Sequence, residues 1–359
     1  MKRIALAALT IALALSLLVG CAGPATPTAT PSPTATSASP TSTPTPTSGV
    51  TIGVWKQLIF FGAAVGSLVI DPSNNPARTL YAGTPYGGVW KSSDGGTSWN
   101  VSSSGLPSTF GYSLAIDPSN FQTLYAAGWS GVFKSSDGGV SWVFSSNGLM
   151  DNDVRFLAID PSNSQTLYAA GWSQVWKSSD GGVNWAWASS STEFPNNGVY
   201  CLVIDPSNPQ TLYAGTMGGG VFKSTNGGVN WASSSNGLTN ASVVCLVLDP
   251  SNPQILYAGT ENGGVCKSND GGVNWDASSS GLPNSPYSYV GSLAIDPSDP
   301  QTLYASTGDE VCKSSDGGAS WVASSSEFPN RGVLCLAFDP SGTLYAVTAN
   351  GVFRMAPEQ

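Results

Sequence analysis

The 359-residue chain contains no histidine, and only 10% of its residues are charged. Without imidazole, Ser-His-Asp and Cys-His nucleophile systems, histidine-ligated zinc and the commonest general base are excluded. Cations are scarce as well. With 13 Lys and Arg against 22 Asp and Glu the net charge is −9, which argues against a nucleic-acid partner. Good helix formers thin out after residue 20. In their place stand 42 Gly and 25 Pro with abundant Ser, Thr, Asn, Val, Tyr and Trp, the mix of strands and tight turns. The expected class is all-β.

Met1-Lys2-Arg3 is a basic start to an apolar run from Ile4 to Val19, short for a spanning helix and suited to a signal peptide. The run ends in Leu18-Val19-Gly20-Cys21, which resembles the bacterial lipobox. That resemblance implies removal of residues 1–20 and lipidation of Cys21; an ordinary secretory signal is the alternative. The next residue is Ala22 and not Asp, so nothing argues for retention at an inner membrane. Residues 22–49 hold seven prolines and no charge and cannot bury a core. Residues 21–49 are therefore expected to form an extended tether, reaching on the order of 80 Å, that holds residues 50–359 clear of a membrane. The expected location is extracytoplasmic, lipid-anchored at the bacterial cell surface or outer membrane.

Everything after residue 50 repeats. An apolar strand ending in Asp-Pro-Ser recurs at Asp71, Asp117, Asp160, Asp205, Asp249, Asp296 and Asp339, spaced by 43 to 47 residues. Each leads to a Leu-Tyr-Ala strand, then to a strand such as Gly131-Val132-Phe133-Lys134. A Ser-x-Asp-Gly-Gly-x-Ser/Asn-Trp turn follows, closing on Trp99, Trp142, Trp185, Trp231, Trp275 and Trp321. Four short strands per period of this length make a propeller blade. Seven strand motifs against six turns is informative. The last repeat stops after Gly351-Val352-Phe353-Arg354, and Val54-Trp55-Lys56-Gln57-Leu58-Ile59 precedes the first like an orphan fourth strand. The expectation is a single seven-bladed propeller of four-stranded antiparallel blades over residues 50–359, its last blade closed by the N-terminal strand.

The turn Ser92-Ser93-Asp94-Gly95-Gly96-Thr97-Ser98-Trp99 and its five copies resemble the Asp-box, or BNR repeat. The unit resembles propellers of the sialidase, sortilin, xyloglucan-hydrolase and photosystem-assembly-factor-like superfamily. In this reading Asp94, Asp137, Asp180, Asn226, Asp270 and Asp316 are structural. The carboxylate accepts turn N–H groups, the Gly pair supplies positive φ, and Asn226 keeps an acceptor. The resemblance is specific for fold and silent on function.

If the Asp-Pro-Ser loops and the turns share one face, a site belongs on the other, where the repeats vary. Tyr86, Trp129 and Trp172 occupy equivalent loops of three successive blades and offer faces to a sugar ring or peptide, unless they merely pack between blades. The same face collects Asp151, Asp153, Glu193, Glu261, Asp309, Glu310 and Glu327 with Arg155 and Arg331, beside Tyr200 and Tyr289. Tyr86, Trp129, Trp172, Arg155 and Arg331 are the candidate ligand-binding residues. A glycosidase needs two carboxylates across a groove, for which Asp151 or Asp153 with Asp309 or Glu327 are weak candidates. A sialidase resemblance would require three clustered arginines. Arg78 lies in a lower loop and Arg354 takes the place of the repeat lysines, so Arg155 and Arg331 fall one short. Asp151-Asn152-Asp153 lacks the spacing of a calcium loop, and no metal or cofactor is expected.

Cys201, Cys245 and Cys335 stand four residues before the Asp of Asp-Pro-Ser; Cys266 and Cys312 precede the repeat Lys. Both are core-facing repeat positions, and Cys312 with Cys335, on adjacent blades, is the first pair to test for a disulfide. The reading is a surface-anchored binding or scaffold module, expected monomeric, for a carbohydrate or extracytoplasmic protein. The alternative is a glycoside hydrolase acting on polysaccharide, as the xyloglucan-hydrolase resemblance implies.

Overall fold

The computed structural model describes residues 54–59, 65–73, 78–85, 87–107, 113–150, 153–172, 174–188, 194, 198–283, 288–308, 310–325 and 332–355. Among them, 28 strands make seven four-stranded antiparallel sheets. In blade 1 the strands are Ser67–Ile70, Leu80–Thr84, Gly88–Ser92 and Asn100–Val101, from the inner to the outer edge. Chain order and sheet order agree in six blades. The seventh reads Val333–Phe338, Leu344–Thr348, Gly351–Met355 and then Trp55–Ile59, so the N-terminal strand closes the ring as the spacing predicted. Trp55 pairs with Met355 and packs beside Tyr304 and Phe338.

The core lies between blades. Tyr125 of blade 2 packs in one cluster with Leu157, Leu167, Trp176 and Trp185 of blade 3, and the pattern repeats around the ring. This is why Leu-Tyr-Ala reads as a continuous apolar run: each second strand is covered on both faces, with Leu80, Leu124, Leu167, Leu212, Leu256 and Leu303 fully buried.

The Gly-Gly turn is built as expected and has a second use. Asp94 accepts from the Ser98 N–H and the Ser92 hydroxyl, each at 2.8 Å, while Gly95 and Gly96 adopt φ of 69° and 88°. In blade 4 the Asn226 Oδ1 takes over, accepting from Ser224 at 3.0 Å and the Asn230 N–H at 2.9 Å. The left-handed backbone also leaves the first glycine carbonyl as an acceptor for the preceding blade. The Tyr81 hydroxyl and the Lys91 ammonium both donate to the Gly138 carbonyl, at 3.0 and 2.7 Å. Tyr125 with Lys134, Tyr168 with Lys177, Tyr213 with Lys223 and Tyr257 with Lys267 do the same to Gly181, Gly227, Gly271 and Gly317. The turns also bond to the Asp-Pro-Ser loops, as in Gly138 N–H to Gln122 C=O at 2.8 Å, so both sets share the lower face.

The seam between blades 7 and 1 is fastened differently. Arg78 stands where the other turn-bearing blades have Gln122, Gln165, Gln210, Gln254 and Gln301. Its Nε lies 3.0 Å from Asp339, whose side chain is fully buried, and its guanidinium donates to Ser341 at 2.5 Å and Thr343 at 3.2 Å. Arg78 holds this reach with φ of 38°, the one left-handed non-glycine among the described residues.

Two outcomes follow. Arg78→Gln restores the residue of the other blades but leaves Asp339 without its cation. It is expected to cost on the order of 2 kcal/mol, reduced from a fully buried pair because the guanidinium is partly exposed. Thermal unfolding should therefore come several degrees earlier, and an unchanged melting temperature would remove the clasp. The second concerns acid. Hydrogen bonds from Ser98 and Ser92, and from Ser141 and Ser135, hold Asp94 and Asp137 down to about 2. Their stabilisation is present above the ordinary carboxylate pKa and is lost as pH falls from about 4 through 2. Asp137→Asn copies blade 4, so it should leave neutral-pH stability nearly unchanged and flatten the acid limb of the stability profile.

Candidate functional site

On the lower face the recurrent side chains are committed to the blade-to-blade bonds. The upper face therefore remains for a site. Of the predicted residues, Tyr86, Asp151, Asp309, Glu327 and Arg331 lie outside the described residues, as does Cys21. Trp129, Asp153, Arg155 and Trp172 lie within them. Three of these four come together.

Arg155 leads into the blade 3 inner strand Phe156–Ile159, and Trp172 follows the second strand Leu167–Ala170. Antiparallel pairing sets them side by side: the Arg155 N–H donates to the Ala170 carbonyl at 2.8 Å. The guanidinium then lies over the Trp172 ring, 3.7 Å from its centre. Asp153 ties both together. It accepts from the Trp172 indole N–H at 2.7 Å and pairs with Arg155 at 3.3 Å. All three side chains are half-buried. The ring that the sequence offered to a sugar is thus covered on one face by a cation. Trp129 holds the equivalent loop of blade 2 and is also half-buried.

Three residues noted only as upper-loop residues complete the surroundings. Tyr200 opens the blade 4 inner strand Val199–Ile204, Glu261 follows the blade 5 second strand Leu256–Thr260, and Tyr289 precedes the blade 6 inner strand. Burial and the charge of Glu261 push the Tyr200 phenol up, with Arg155 pulling the other way. Partial burial, with Cys245, Glu261 and Tyr200 nearby, pushes the Tyr289 phenol up to about 12, although 45% of the residue stays exposed. The Tyr289 ring lies across Gly291, where any Cβ would come within 2.9 Å of it. Both phenols are neutral hydrogen-bonding groups at ordinary pH, not activated nucleophiles. Tyr200 is unpaired in the ladder, because a register shift falls between Val199 and Cys201. The same shift recurs between Val243 and Cys245 and between Val333 and Cys335, so it belongs to the blades that carry cysteine at this place.

The cysteines correct one expectation. All five of the repeat region are free, and Cys312 and Cys335 belong to different layers. Cys312 packs in the cluster joining blades 5 and 6, whereas Cys335 packs in the one joining blades 7 and 1. The position four residues before Asp faces the next blade, away from the partner the linear sequence proposed. In blades 2 and 6 this position holds Ser113 and Ser292, which accept from the Leu157 and Leu336 N–H groups of the following blade at 3.2 and 3.0 Å. No cluster of three metal-ligating side chains occurs among the described residues.

No family model matches the chain, and no curated protein matches it by sequence. Solved structures do. It is similar to the xyloglucanase of glycoside hydrolase family 74 from Xanthomonas campestris, with a TM-score of 0.68 and 20% identity over 84% of this chain and 53% of that one. It is similar to YCF48 bound to a D1 peptide, with a TM-score of 0.67 and 16% identity over 87% of this chain and 99% of that one. A third is the extracellular domain of BT4673 from B. thetaiotaomicron, with a TM-score of 0.68 and 15% identity over 85% of this chain and 40% of that one. The likeness is one of fold. This chain spans about half the length of the xyloglucanases and nearly all of YCF48.

Burial pushes the Cys201 thiol well up, Cys245 to about 12 and Cys335 to about 11. These three should resist a thiol reagent such as Ellman's at pH 8 in the folded protein and react once it is unfolded. Fast labelling of any of them in the native state would contradict their packing.

Proposed function

We propose that residues 50–359 form a non-catalytic binding module, carried on a lipid-anchored extracytoplasmic chain, that takes a protein partner at the upper face. The observation that carries this reading is the clamp on Arg155. A guanidinium held flat on Trp172 and braced by Asp153 has lost most of its rotamer freedom before any partner arrives. Arginine and aromatic residues held in this way are the usual anchors of a protein interface. Tyr200 and Tyr289 add neutral hydrogen-bonding groups, and Glu261 adds an anion to meet a partner cation.

The fold comparisons support a binding role without specifying it. YCF48, which this chain covers nearly end to end, was solved with a peptide bound. Asp153 fits the same role. Its Oδ2 already accepts from Trp172 and faces Arg155, so it orients both side chains. A carbohydrate remains the alternative ligand at this face. Extracytoplasmic placement rests on the signal-like residues 1–20 and on Cys21.

A photo-crosslinking residue at Tyr289, about half exposed, is expected to capture a partner in cells, whereas one at Val229 on the lower face is not. Adding Arg155→Ala should reduce capture by about tenfold, without shifting thermal unfolding by more than a few degrees. Xyloglucan incubated with the wild type should release no reducing ends. Release that Asp153→Asn abolishes would overturn the non-catalytic reading, and capture indifferent to Arg155→Ala would overturn the site.

A further inference from the structure

The flank of blade 4 carries a groove. It has a volume of about 520 Å³ and runs between the blade 4 turn, the outer strand Ala232–Ser233 and Val273 of blade 5. Its lining includes Asn226, Asn230, Asn236 and the edge of Trp231. The size lies in the range of small-molecule sites.

Sequence explains why the groove is here. The outer strands of blades 2 and 3 are Val143–Phe144 and Ala186–Trp187, with Phe144 and Trp187 projecting into solvent. Blade 4 places Ala232 and Ser233 at those two positions and so leaves the groove uncovered, as Asp276 and Ala277 do on blade 5. Its counterpart on blade 5 is smaller, about 210 Å³, and is lined by the carboxylates Asp276 and Asp316.

Chemistry separates the blade 4 groove further. Blade 4 is the one blade of six whose turn has Asn in place of Asp. Asn226 spends its Oδ1 on Ser224 and the Asn230 N–H, which puts an amide donor where the other turns have a second carboxylate oxygen. Lys223, the cation at the edge, is committed to the Gly271 carbonyl at 2.7 Å and to the Tyr213 ring. Asn236 is fixed by donating to Asn274 at 2.6 Å. The groove therefore carries no carboxylate, one engaged ammonium at its edge, and a lining rich in held amides and hydroxyls.

We propose that this groove is a second binding site, for a neutral oligosaccharide. Sugar hydroxyls each donate and accept, which suits carboxamides, and the C–H face of a pyranose suits the exposed Val273. Lys223 is the one cation of the lining and is engaged by the Gly271 carbonyl and the Tyr213 ring, so an anionic ligand meets it only in competition with both. A peptide strand finds an outer edge of only two residues, too short for sheet extension. The proposal is independent of the upper-face reading, since the groove lies on the lower flank with the turns.

The test is calorimetric titration of the full propeller with neutral tri- and tetrasaccharides of β-1,4-glucan, xylan, mannan and N-acetylglucosamine. At least one is expected to bind the wild type. Ser233→Trp fills the groove with the residue that blade 3 carries in register, so the fold accommodates it; binding should fall by at least about tenfold. Asn226→Asp reproduces the other five turns and should weaken binding by about threefold or more. Arg155→Ala should leave the affinity unchanged. The proposal fails if no oligosaccharide binds, or if Ser233→Trp binds as the wild type does. Binding lost in Arg155→Ala but kept in Ser233→Trp would assign sugar to the upper face and overturn the groove.

Discussion

The ring is held by one recurrent bond: in five of the six turns a glycine carbonyl accepts from the tyrosine and the lysine of the preceding blade. The two donors come from neighbouring strands, Tyr81 from the second and Lys91 from the third, which pair directly. The lysine also lies 5.3 Å from the centre of the tyrosine ring. A desolvated carbonyl that receives two donors, one charged, is worth more than a surface contact. The second glycine is held by packing: a Cβ on Gly139 would come within 2.6 Å of Ser102 and 3.1 Å of Tyr81. The Asp-Gly-Gly turn therefore serves two ends. It closes its own hairpin and it is the socket into which the previous blade plugs.

That arrangement decides where function can lie. The lower face is consumed by sockets, by Asp-Pro-Ser loops whose aspartates accept from the serine two residues on, and by the Arg78 clasp. Variation there is small because each change disturbs a joint. The upper face and the outer flank carry no such joint at every blade. Arg155, Trp172 and Asp153 exist as a group in blade 3 alone among the described residues, and the blade 4 groove is edged by the turn whose Asp is replaced by Asn226.

Legibility in the sequence follows the same division. Anything repeated was legible: blade count, closure by the Trp55 strand, the positive-φ glycines and the interchangeability of Asp and Asn226. Singular features were harder. Arg155 and Trp172 are 17 residues apart, and only the strand register joins them. Arg78 is legible as the one non-Gln at its place in the turn-bearing blades, whereas its reach to Asp339 across the seam is not. The cysteine pair misled because adjacency of blades was taken as adjacency of side chains. Cys335 faces blade 1 and Cys312 faces blade 5, so neighbouring blades place them in separate layers.

The absence of histidine weighs differently once the geometry is known. A propeller can still run acid–base chemistry on carboxylates, provided one is left protonated and another free. At the described part of the upper face, burial and neighbouring charge act on the phenols of Tyr200 and Tyr289 and keep them neutral. Asp153 accepts from an indole N–H and faces a guanidinium, so its carboxylate holds Trp172 and Arg155 together. The described groups of this surface are thereby tied to one another by hydrogen bonds and charge, and their shared effect is to fix the position of Arg155.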